Sequence, residues 1–433
     1  MGRAFGLGVI GLAAGLMMGS CSSSSSDGSS STDGGANGSS NDEGNVGASD
    51  EGGAPGAPAT IATKARAITE KLGGSHADHF LIGLGGDEDT YYNFGPKLDI
   101  HYDYLDGLST TGGWPTWNNN PDYPTMRIQE ATSHDMIFMT TYYCMAAAGD
   151  GNIAGSIQDA TYMTTYWKDY AQLLASIHAQ GKPTLVHMEP DYFGYLEQKS
   201  LAGSGPSGVS AQVAVGHNAE CASEPDNIIG FTHCILEMAR ARAPEAIMGL
   251  HVSSWGSNMD VGDNADPSLD IAAEAQKTVD FFKAIGGDQA DFLVTDMSDR
   301  DDGCYEAGYT DSMGNVVCKQ TSAPKYWDET NTTLPNFHQQ QTWIAAVGKG
   351  LNLPVSWWQI PLGVPSSTPG GTPTHFRDNR VDYMFKHMDE FVGAGGFLAA
   401  FGPGAGGQTD IASDGDQFKN AATSYYASPF ALP

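Results

Sequence analysis

The sequence predicts an α/β fold, a (β/α)8 barrel with extended loops after its strands. Three observations point there. Eight short apolar runs of strand length recur along the chain, stretches of helix length and amphipathic pattern separate most of them, and about 370 residues (62–433) remain for the fold. Runs that are apolar on both faces belong to buried parallel strands, and the intervening helices supply the crossovers. A seven-stranded or open doubly wound sheet is the competing architecture.

The N-terminus stands apart from this pattern. Arg3 precedes the apolar run FGLGVIGLAAGLMMG, which small residues close at Ser20 and Cys21. This is the form of a bacterial signal peptide, and the run is too short to span a bilayer comfortably. LMMGSC resembles a lipobox, with Met18 in place of the usual leucine, so residues 1–21 are expected to be a leader with Cys21 lipidated. Residues 22–61 are rich in Ser, Gly and Asp and nearly free of large apolar side chains, the composition of a flexible tether. The expected product is an exported lipoprotein at the outer membrane or cell surface, or released from it, held to the membrane only by its lipid and acting as a monomer.

The strands follow in order: 79–85, 97–105, 135–143, 183–189, 247–255, 291–297, 354–360 and 396–402. Helices are predicted over 156–181, 233–246, 266–287, 336–350, 377–396 and 415–426. After the second strand the sequence reads as loop, DGLSTTGGWPTWNNNPDYP, with no evident helix. Glycine-rich dinucleotide and phosphate-cradling motifs are absent; GLGGDED has glycines without the spacing.

Formal net charge is −30, from 21 basic and 51 acidic residues. Such a chain repels nucleic acid and anionic lipid, whereas a neutral polysaccharide or oligosaccharide is indifferent to the field. Cys221 and Cys234, and Cys304 and Cys318, lie close in sequence in loop-like stretches and are expected to form disulfides in an oxidising compartment. Cys144, among aromatic residues, is expected to be a buried thiol.

A parallel barrel gathers its site where the strands end. Strand ends here offer His101, Asp103, Tyr142, His187, Asp191, Trp255, Asp299, Trp357 and Gln359 as sugar-binding candidates, since aromatic faces cover pyranose rings and carboxylates or amides bind hydroxyls. Glu189 closes the fourth strand; two-residue periodicity places it on one face with Leu185 and His187, pointing into the mouth. Apolar neighbours there would raise its pKa toward that of a general acid. Glycoside hydrolysis needs a second carboxyl, and Asp296, ending the sixth strand, is favoured as base or nucleophile.

LVHMEPDYFGY (185–195) resembles the fourth strand of the large retaining clan of (β/α)8 glycoside hydrolases, in which Asn-Glu-Pro presents the acid/base glutamate. The resemblance implies that role for Glu189. It covers one strand and the coarse repeat: Met188 replaces the asparagine, and Gln359 stands where that clan carries its nucleophile glutamate. Two other readings remain. One is a surface carbohydrate-binding barrel without catalysis. The other is a metal-dependent polysaccharide deacetylase using His76, Asp78, His79, His101 and Asp103. No cofactor is required; structural calcium is conceivable in the acidic loops 258–270 and 296–303, neither of which follows the EF-hand pattern.

Overall fold

The computed structural model describes residues 60–86, 95–145, 153–298, 300–321 and 325–433. The leader, Cys21 and residues 22–59 of the tether lie outside the described residues, as does Asp299. Eight parallel strands close a barrel: β1 (Leu81–Gly85), β2 (Ile100–Asp106), β3 (Ile137–Tyr143), β4 (Thr184–Met188), β5 (Ala246–His251), β6 (Phe292–Asp296), β7 (Val355–Ile360) and β8 (Gly396–Phe401). Each strand pairs with its neighbour in sequence, and β8 closes on β1 through Leu81 opposite Leu398 and the residues that follow. All eight expected strands are present. β5 stops at His251, so Ser253, Ser254 and Trp255 belong to the loop beyond it.

The helical layer comprises α1 (Ile61–Leu72), α2 (Tyr123–Ser133), α3 (Ala160–Gln180), α4 (Tyr192–Ala202), α5 (Ile228–Arg242), α6 (Ile271–Ala284), α7 (Phe337–Leu351), α8 (Arg380–Lys386), α9 (Met388–Gly393) and α10 (Gln417–Tyr426). Side-chain caps fix several starts: Asp122 accepts from Thr125 N–H, Asp159 from Thr161 and Tyr162, Asn227 from Ile229 and Gly230, and Asn336 from Gln339. Left-handed Gly181 and Asn352 end α3 and α7. The expected single helix over 377–396 is two, broken at His387. Helices α1, α2 and α4, and the short helix Asp302–Ala307, stand where the sequence pattern predicts none. α2 follows the loop after β2 once Asp122 supplies a cap and Pro124 the helical φ of its first turn. No helix among the described residues is long and apolar enough to cross a membrane.

Two glycines let large rings cross the barrel interior. A Cβ on Gly85 would lie 2.1 Å from the Tyr102 ring, and one on Gly249 would lie 2.4 Å from Phe292. Phe292 meets Phe397 edge to face at 5.4 Å, filling the interior between β6 and β8.

Both expected disulfides are present, Cys221–Cys234 and Cys304–Cys318. Loops of this size stabilise a fold by about 3 kcal/mol each through the unfolded chain. Cys234 and Cys304 sit on helices rather than in loops. Cys144 is the buried thiol expected, donating to the carbonyls of Leu105 and Gly107.

Candidate active site

Alternation along the strands decides which side chains reach the barrel interior. On β2 these are Tyr102 and Tyr104, whose rings meet Trp358 of β7 at 6.3 and 5.8 Å. Trp358 stands edge-on to His187 of β4 at 4.8 Å and to His251 of β5 at 5.9 Å, and the two imidazoles stack at 5.2 Å. The register explains the pair: His187 is opposite Gly249, so His251 lies on the same face two residues further toward the mouth. Gln359, held at φ 54°, turns its amide to donate to the Tyr104 hydroxyl at 2.9 Å.

Above this floor, donor atoms of Asp191, His251 and Asp296 lie within 4.8 Å of one another. Asp191 occupies the N-cap position of α4 at φ 65°, yet its side chain makes no capping hydrogen bond. A non-glycine residue in that region is strained, a condition that persists where surrounding structure imposes it. Asp296 ends β6, with Oδ2 3.8 Å from His251 Nε2.

Burial controls the protonation of this group. It pushes Asp296 up to about 8, helped by Asp191, Asp260 and Asp263 and opposed by Arg380. It also holds His251 down to about 3 and, with His251 adding to the effect, His187 well below the usual histidine range. At neutral pH both imidazoles are therefore held neutral, and the Asp296 carboxyl is biased toward its protonated form. A chain of contacts runs from Thr141 Oγ1 to His187 Nδ1 (3.4 Å) and from His187 Nε2 to His251 Nδ1 (3.0 Å).

Glu189 has a different setting. Its φ of 48° interrupts the strand alternation that would stack it over His187. Its Oε2 accepts from the N–H groups of Cys144 (3.1 Å) and Met145 (2.9 Å), and the side chain is wholly buried. Burial raises its carboxyl to about 8, against those two N–H groups and the Tyr166 hydroxyl. Its charge bears on Tyr142, Tyr162, Tyr166 and Tyr192, a set distinct from the neighbours of Asp296.

Four expected sugar contacts face the helical layer instead of the mouth. Tyr142 packs against Tyr166 and Tyr170 of α3 and against Trp114, at 5.6 to 6.4 Å. Trp357 packs on Phe391 of α9 at 4.9 Å and donates to Gln340 of α7. The inward positions of β2 are even-numbered, so His101 turns to Phe138, and Asp103 pairs with Arg127 (3.0 Å) and Tyr123 (2.5 Å) of α2. Trp255 is partly exposed in the loop after β5, with its ring 4.8 Å from Tyr195.

The deacetylase ligand set divides between locations. His76 and His79 hold Asp99 at 2.8 and 3.1 Å, at the amino ends of β1 and β2, away from the mouth. Tyr426 and the N–H of Ile82 complete the cluster, and its hydrogen bonds hold Asp99 down to about 2 despite burial. In the acidic loops expected to suit calcium, Asp260 accepts from Ser254 and Gly262, Asp263 pairs with Lys325, and Asp302 pairs with Arg380. Those carboxylates are engaged by protein donors.

His251 and Trp358 are central here, yet neither stood among the sugar-binding candidates read from the sequence. For His251 the available signal was one histidine on each of two consecutive strands. For Trp358 it was the choice between adjacent tryptophans, which alternation poses and only the strand's orientation answers.

No family model and no curated protein matches this chain. Solved structures do, including the catalytic core of xylanase A (10% identity, 80% of this chain and 97% of that one, TM-score 0.43). A hyperthermophilic endo-β-1,4-glucanase in complex with substrate is 11% identical over 83% of this chain and 99% of its own, with TM-score 0.42. A β-glucosidase from Thermotoga maritima in complex with castanospermine is 11% identical over 76% and 82%, with TM-score 0.39. The barrel itself, eight parallel strands closed and ringed by helices, is read from this chain's own strand pairing.

Proposed function

We propose that this protein hydrolyses glycosidic bonds of a neutral polysaccharide or oligosaccharide, with Asp296 as proton donor and Asp191 as the second carboxylate. One observation carries the reading: two carboxyls meet at the mouth with oxygens within 4.8 Å, and burial pushes one of them up to about 8. Asp296 would pass its proton to the glycosidic oxygen as the bond to the anomeric carbon breaks. Asp191 would meet the positive charge developing at that carbon. Carboxyl oxygens that approach within 4.8 Å of each other favour the close pairing of retaining enzymes over the wider spacing of inverting ones. Tyr104, Tyr143, whose ring meets that of Tyr104 at 6.1 Å, Trp255 and Gln359 are the proposed sugar contacts, with His187 beneath them.

This reading moves the acid role from Glu189, whose carboxyl is committed to two backbone N–H groups. It includes an extracellular location on a lipid at Cys21, in keeping with the disulfides and the acidic surface. Reducing-sugar release from a panel of polysaccharides tests it, comparing wild type with Asp296→Asn, Asp191→Asn and Glu189→Gln. Release that both aspartate variants lose while folded is expected. Retention of a polymer on an affinity gel with no release from any would instead indicate a binding barrel.

A further inference from the structure

We propose that Asp191, His251 and Asp296 bind one divalent first-row transition-metal ion, with zinc the best fit, and that the ion blocks the mouth. The first observation is the donor set itself, one imidazole nitrogen and two carboxylates within 4.8 Å. The second is independent of it. His251 is fully buried, and among the described residues its Nε2 has no hydrogen-bond partner although it points toward Asp296 Oδ2. A buried imidazole nitrogen with no partner costs free energy, and a metal ion is a ligand that removes that cost.

The opposite edge of the ring is fixed as metal-bound histidines require. His251 Nδ1 meets His187 Nε2, and His187 Nδ1 meets Thr141, a relay that leaves Nε2 free to act as the lone-pair donor. Donors around a tetrahedral zinc stand about 3.4 Å apart at bond lengths near 2 Å. His251 and Asp296 are already at 3.8 Å, so binding requires mainly a small inward turn of Asp191 at the head of α4. Three protein ligands leave a fourth position open toward the mouth. The imidazole nitrogen disfavours calcium and magnesium, which select oxygen.

The site's existence does not depend on the hydrolytic reading, but its consequence rests on it. A carboxylate bound to zinc carries no proton, so Asp296 cannot protonate a leaving group while the ion is present, and zinc inhibits.

The test is calorimetric titration of zinc chloride into the untagged full-length protein and into His251→Gln and Asp191→Asn, with circular dichroism to verify folding. One zinc per chain is expected, weakened by about 100-fold or more in each variant. Asp191 is partly exposed, so its variant decides the matter if His251→Gln fails to fold. No binding to wild type, or equal binding to wild type and folded variants, overturns the site. Sugar release that zinc suppresses and a chelator restores supports both proposals. Release that requires zinc keeps the site but overturns both its blocking role and Asp296 as proton donor.

Discussion

Glu189 and Asp296 both stand at the carboxyl ends of barrel strands, and burial pushes both carboxyls up to about 8, yet their surroundings differ in kind. Glu189 sits among tyrosines and is hydrogen-bonded by the chain that follows β3. Asp296 faces a second carboxyl and an imidazole nitrogen across an opening. A raised pKa is thus a property of burial that both carboxyls share, and it does not by itself mark a catalytic acid. The distinction lies in what the group faces.

The largest effect that would sharpen this contrast is Asp296→Asn, expected to cut kcat by about 10²-fold or more with the fold intact. Glu189→Gln should cost less than tenfold, because the amide oxygen can accept the same two N–H bonds. Steady-state kinetics on the active polymer checks both. Equal losses in the two variants would erase the contrast and return Glu189 to the acid role. Glu189→Ala, which leaves those N–H groups without an acceptor, should instead lower stability by roughly 1–3 kcal/mol in denaturant titration.

The pH profile separates the two sites by a different route. Activity that depends on protonated Asp296 should fall as pH rises through about 8. Stability should decline as well. Both carboxyls have folded pKa values above their unfolded ones, so their contribution is full below about 4 and lost as pH rises through about 8. Glu189→Gln should flatten part of the melting-temperature slope in that window without moving the alkaline limb of activity. A shift of that limb in Glu189→Gln would contradict the assignment.

The smallest expected effect concerns the other end of the barrel. Asp99, held down to about 2, contributes stability present above about 4 and lost as pH falls through about 2. Asp99→Asn should lower the melting temperature at neutral pH, remove that acid-side slope and leave kcat unchanged. A change in kcat would link this clamp to the mouth.

Much of the fold was legible because apolar runs and the helices between them are local signals. Two of the helices without a sequence signal are instructive. α4 begins directly after Glu189-Pro190-Asp191, two left-handed residues around a proline, so no ordinary cap announces it. α2 hides behind a loop rich in Asn, Gly and Pro. The proposed site was legible only in part. Asp296 and Asp191 were named as candidates from their strand ends, but alternation was assigned the wrong phase on β2, which exchanged His101 and Asp103 for Tyr102 and Tyr104.

The sequence by itself determined the barrel, the two disulfides and the concentration of carboxyls at strand ends, since these follow from short-range pattern and composition. Tertiary structure alone decided which carboxyls meet. Register across β4 and β5 brought His251 beside His187, and a positive φ at Glu189 and another at Asp191 turned two neighbouring acids into different surroundings. Side-chain direction at a strand end depends on the last backbone dihedrals, and those answer to the packing of the whole barrel rather than to the residues beside them.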